Sequence, residues 1–88
     1  MATHSIKTVT LEFPVETLTA MRQTSEEFSK SMRLAAAVKW YEMGMISQEK
    51  ASEIAGLNRE DFLFSLIGYK VSPFQYTVED ILKEGMHE

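Results

Sequence analysis

The chain reads as a mainly α-helical protein with an N-terminal β-strand, a helical bundle containing a helix-turn-helix-like pair, an extended segment and a short C-terminal helix. Three observations predict this. Residues 7–13 alternate in polarity with period two. Four later stretches open on Thr24, Ser47, Asn58 and Thr77, residue types whose side chains cap helices. Two of those stretches meet across a three-residue turn that contains Gly56. Eighty-eight residues make one domain, 1–88, and a chain of that size buries only about 60% of its unfolded surface. A thin core of this kind favours association, and a homodimer is the expected state.

In Lys7-Thr8-Val9-Thr10-Leu11-Glu12-Phe13, Val9, Leu11 and Phe13 fall on one face and Thr8, Thr10 and Glu12 on the other. That is the signature of a half-buried strand over 7–13. Pro14 ends it and suits a first helical turn. Residues 14–44 then hold two helices. Val15, Leu18 and Met21 recur at spacing three, giving a short helix to about Arg22. Thr24 with Glu27 forms a capping box for a longer one. Its run from Arg33 to Met43 is apolar over more than one face, which places it at the centre of the core; Trp40 and Tyr41 are assigned to core or dimer contact. Gly44 closes it.

Residues 47–67 are the most informative. Ser47 caps a helix over 48–55, Gly56 ends it, and Asn58 caps a second helix from Arg59 to about Ile67, closed by Gly68. The small residues Ala51 and Ser52 lie where the two helices would cross, and Leu57 and Phe62 supply apolar packing. Residues 69–88 are an extended segment to Tyr76, interrupted by Pro73, and an acidic tail. In the tail Thr77 and Asp80 open a last helix over 78–84.

Composition narrows the function classes. There are no cysteines, which removes disulfides and thiolate chemistry together. The longest apolar runs fall far short of the roughly 20 residues that span a bilayer, so a cytoplasmic location without membrane attachment is expected. Enzymatic activity is not expected. The two histidines, His4 and His87, stand near the termini, no phosphate-binding Gly-rich loop occurs, and no cluster has metal-ligand spacing. No cofactor is implied. The net charge of −4 is uneven: residues 1–39 carry five Lys/Arg against four Glu, and residues 40–88 four against nine Asp/Glu. Phosphate affinity comes largely from Lys and Arg, so the N-terminal half is the better side for nucleic acid.

The run from Val38 to Ser47, then Lys50 to Leu63, resembles an uncharacterised family of small proteins from bacteria and archaea, and Val71–Thr77 is similar to its cyanobacterial members. The resemblance covers nearly the whole chain. Members are described as antitoxins whose genes commonly stand beside one for a PIN-domain ribonuclease toxin. The resemblance therefore implies a chain that blocks such a toxin and represses its own operon by binding operator DNA. Ser52 stands where such helix pairs usually carry alanine, and Phe64 where a polar residue would suit an exposed reading face.

In a helix-turn-helix the N-terminal residues of the second helix meet base edges, and here these are Asn58, Arg59 and Glu60. Asn pairs with adenine and Arg with guanine. The remainder of that helix is apolar, so burial of both faces in the fold or in a dimer is an open alternative. The strand offers a second route to DNA through Lys7, Thr8 and Thr10, as in paired strands that enter the major groove. The alternative is a strand that pairs with residues 70–76 or with a dimer mate. In the tail, Phe74, Tyr76, Ile81, Leu82 and Met86 are apolar points on an acidic segment and candidate anchors for a partner. Packing of Phe74 and Tyr76 onto the chain's own helices is equally open. A protein-interaction adaptor with a purely structural helix-turn-helix is the competing function.

Overall fold

Short-range hydrogen bonding sets the helix starts, and the computed structural model describes residues 5–73. Four helices follow in order: α1 (Val15–Met21), α2 (Ser25–Glu42), α3 (Gln48–Ala55) and α4 (Arg59–Gly68). At the start of α2 the Glu27 N–H donates to Thr24 Oγ1 at 3.1 Å and the Thr24 N–H donates to Glu27 Oε1 at 2.9 Å. This is the capping box that the Thr24–Glu27 spacing predicts, and it satisfies two otherwise orphaned donors. Helix α1 is weaker. It has no side-chain cap and no buried residue, and it ends on Arg22 in the left-handed region at φ 55°.

Helix α2 packs mainly on α3, α4 packs on α3, and α1 touches α2 lightly. Ala37 of α2 and Ala51 of α3 are fully buried, and their small side chains let the two backbones approach. Phe62 and Leu66 of α4 fill the space beside them with no residual exposure. Burying a side chain of that size contributes about 2–3 kcal/mol. Val38, Ala55 and Val71 complete the core, and Leu34, Tyr41, Ile54, Leu57 and Leu63 pack around it partly buried. The Tyr41 and Phe62 rings meet edge to face, with centroids 6.1 Å apart. Trp40 lies outside this cluster and is 40% exposed.

The strand expected over residues 7–13 is not formed, and among the described residues there is no strand. Val9, Leu11 and Phe13, expected on a half-buried face, are 75%, 57% and 43% exposed. No backbone hydrogen bond joins residues 5–13 to another described residue. The physical reason is that a strand's hydrogen bonds all run to a second strand. Alternating polarity sorts side chains between two faces, but among the described residues nothing offers residues 7–13 a ladder.

The segment after α4 also departs from expectation. Instead of extending from Tyr69, the chain folds back: the Lys70 N–H donates to Ile67 O at 3.0 Å and the Val71 N–H to Leu66 O at 2.9 Å. Lys70, not Gly68, takes the left-handed step, at φ 58°, and Gly68 is the last helical residue. The turn drives Val71 into the core, a gain that offsets the strained Lys70 backbone. The helix expected over 78–84 lies outside the described residues, as do Phe74, Tyr76, Ile81, Leu82 and Met86.

Candidate functional site

The pair α3–α4 is assembled from local caps and one long-range clamp. The Lys50 N–H donates to Ser47 Oγ at 3.1 Å and the Asp61 N–H to Asn58 Oδ1 at 2.7 Å, so each helix starts where its cap residue stands. Gly56 stops α3 at φ 74°, with its N–H on Glu53 O and the Leu57 N–H on Ser52 O at 3.0 Å. That left-handed turn aims α4 away from α3. Arg33 reaches across from α2 to the same corner. Its Nε donates to Ile54 O at 2.7 Å and Nη2 to Glu53 O at 3.4 Å. A cation thus sits on the last carbonyls of α3, where the helix dipole favours it. Ser52 is 5% exposed, and its hydroxyl donates to Gln48 O at 2.8 Å, so a polar atom at the helix crossing has a partner.

At the other end of α3, Gln48 ties four segments together. Its Nε2 donates to Tyr41 Oη at 3.0 Å and to Pro73 O at 2.6 Å. Tyr41 Oη donates to the same Pro73 carbonyl at 2.8 Å. Gln48 Oε1 accepts from Arg59 Nε and Nη2 at 3.2 and 3.1 Å. One amide therefore bridges α2, α3, the first turn of α4 and the point where residue 74 begins.

The expected DNA-contacting residues fall into two places. Asn58, Arg59 and Glu60 stand exposed at the N-terminus of α4. The Asn58 side-chain oxygen is engaged as the cap, and Arg59 leans on Gln48, a neutral acceptor that leaves its charge uncompensated. Glu60 and Asp61 follow at once, so the first turn carries one cation against two carboxylates. Lys7, Thr8 and Thr10 are exposed on the N-terminal segment that precedes α1. Thr10 lines a groove of about 430 Å³ with Leu11, Phe13, Leu18, Phe28 and Met32, whereas Arg59 and Glu60 border a different groove of about 390 Å³.

The groove beside α4 has an apolar floor. Leu63, Phe64 and Ile67 form it, with Gln48, Arg59, Glu60 and Pro73 around the rim. Phe64 is 73% and Ile67 66% exposed. Burial of both faces of α4 was open from the sequence, and within the chain only the Phe62–Leu66 side is buried. The residues that sequence reasoning did not single out are Gln48, Arg33 and the Tyr41–Pro73 contact. Each acts across 7 to 32 positions, and no local pattern marks such pairs. Among the described residues no group of three or more His, Cys, Asp or Glu could hold a metal ion, and no helix is long and apolar enough to cross a membrane.

Two proteins of the archaeon Aeropyrum pernix, both named UPF0175 protein, are similar to this chain. One is 35% identical over 72 residues, covering 82% of the chain and 79% of the relative. The other is 31% identical over 58 residues, covering 66% and 73%. No solved structure matches significantly. A family model matches residues 2–87, nearly end to end, and the chain accordingly belongs to the uncharacterised protein family UPF0175.

Proposed function

We propose that this chain is the antitoxin of a type II toxin–antitoxin pair. It is a cytoplasmic homodimer that binds a PIN-domain ribonuclease toxin and represses its own operon by binding operator DNA. One observation carries the DNA half: Gly56 turns the chain between α3 and α4, the Arg33 clamp ties the end of α3 to α2, and Asn58, Arg59 and Glu60 stand exposed at the leading end of α4. In helix-turn-helix proteins that end faces the base edges of the major groove. Arg59 exchanges one neutral acceptor, Gln48, for another on guanine. Lys7, Thr8 and Thr10 are auxiliary phosphate or base contacts. The toxin half rests on the resemblance of residues 38–63 and 71–77 to antitoxins, with Phe74, Tyr76, Ile81, Leu82 and Met86 as anchors.

A mobility shift on the chain's own promoter tests the DNA half, run across a salt series with and without the ribonuclease encoded beside it. Arg59→Ala is expected to weaken binding about tenfold or more, since a good bidentate base contact is worth roughly 1–3 kcal/mol. A second reading has its own support. Phe64 and Ile67, exposed on the surface that would lie in the groove, suit a protein partner better than a polar base edge. In that reading the chain is an adaptor whose helix-turn-helix is purely structural. Absence of any shift at low salt, with the ribonuclease present, would select it.

A further inference from the structure

We infer that the N-terminal segment becomes a strand by pairing with the same segment of a second copy of this chain. The inference deepens the dimer in the reading above by naming its surface. Residues 5–13 form no helix, turn or bridge on the way to Pro14, and their backbone N–H and C=O groups have no partners among the described residues. The far end of the segment is fixed, because the Phe13 ring packs edge to face on Phe28 of α2 with centroids 4.9 Å apart. The segment is thus anchored at one end, which lowers the ordering cost of pairing.

The apolar side of the segment is also incomplete. Val9, Leu11 and Phe13 remain 75%, 57% and 43% exposed, and Val15 just beyond is 75% exposed. Val9, Leu11 and Phe13, with Thr10 among them, border the 430 Å³ groove over Leu18, Phe28 and Met32. A two-stranded ribbon is marginal by itself and needs a surface to pack on, and this groove supplies one in each subunit.

The residue pattern selects an identical strand in antiparallel register about Thr10. Val9 then lies opposite the partner's Leu11, Thr10 opposite the partner's Thr10, and Thr8 opposite the partner's Glu12. Val9, Leu11 and Phe13 of both copies then share one face, and neither Lys7, which meets the partner's Phe13, nor Glu12 meets a like charge, which directly opposed strands do not tolerate. A shift of one residue would put Val9 against Thr10 or Glu12 and set the two apolar sets on opposite faces. The other face of the ribbon would carry Ile6, Thr8, Thr10 and Glu12 from both copies.

The chain has no cysteine, so one introduced thiol reports the pairing cleanly. The experiment uses the full chain carrying Thr10→Cys, oxidised under mild conditions, with Glu49→Cys on exposed α3 as the control. The expected result is conversion of most Thr10→Cys chains to a covalent dimer, at least tenfold faster than the control. Adding Val9→Glu should abolish that advantage while helical circular dichroism stays unchanged. Equal slow cross-linking at both positions, or indifference to Val9→Glu, overturns the inference. Cross-linking of Thr10→Cys only to a cysteine-bearing toxin overturns it too. Sedimentation separates the failures: a dimer that does not cross-link at position 10 removes this surface but keeps the dimer, whereas a monomer at all concentrations removes both. Neither result bears on the operator shift.

Discussion

Residues 33–71 and residues 5–13 both carry regularly spaced apolar side chains, yet only the first region buries them. In the helical region Ala37, Ala51, Phe62 and Leu66 are fully enclosed, and the buried Ser52 hydroxyl at their centre is hydrogen-bonded. In the N-terminal segment Val9 and Leu11 stay more than half exposed and the backbone is unpaired. The difference lies in where each element finds its hydrogen bonds. A helix closes its own within four residues, so its apolar stripe exists before any packing and only needs a neighbour to cover it. A strand has no internal bonds, so the same hydrophobic signal has no effect until a second strand arrives. Apolar periodicity therefore reports a fold within one chain in the first case and, as we infer, a contact between chains in the second.

The contrast can be broken most directly at Phe62. Phe62→Ala removes a fully buried ring and is expected to cost about 3–5 kcal/mol, read from the denaturation midpoint. A loss below about 1 kcal/mol would mean that the core lies elsewhere. Gly56→Ala tests the turn between α3 and α4. A Cβ there would sit 3.7 Å from the Arg33 guanidinium, an ordinary contact, so the penalty comes from the backbone at φ 74°. That predicts about 1–2 kcal/mol, with helical content retained. The smallest effect is expected from Val9→Ser. At a concentration low enough to dissociate any dimer, it should change stability by no more than about 0.5 kcal/mol. A larger change would make the N-terminal segment part of the helical core and erase the difference between the two regions.

The candidate site was legible in part, for reasons visible in particular residues. Ser47, Gly56 and Asn58 mark the helix-turn-helix because each acts on atoms within three to five residues of itself. The exposed position of Asn58, Arg59 and Glu60 follows from the same local geometry. The exposed face of α4 did not follow. Its helix is apolar nearly all round, so spacing alone could not tell Phe62 and Leu66, which are buried, from Phe64 and Ile67, which are not. The Gln48 amide was equally hidden. It connects Tyr41, Arg59 and Pro73, residues 7, 11 and 25 positions away, that only the packed helices bring together.

What belongs to the sequence alone is the start of α2, α3 and α4, because Thr24, Ser47 and Asn58 compete for backbone N–H groups that the chain itself supplies nearby. The tertiary structure decided everything that needs a distant partner. It left residues 7–13 without a ladder among the described residues, turned the chain back at Lys70 to bury Val71, and set Arg33 on the end of α3. It also chose which side of α4 faces solvent. Local bonds form between atoms that are neighbours in the chain in any conformation, whereas these contacts exist only once the helices have packed.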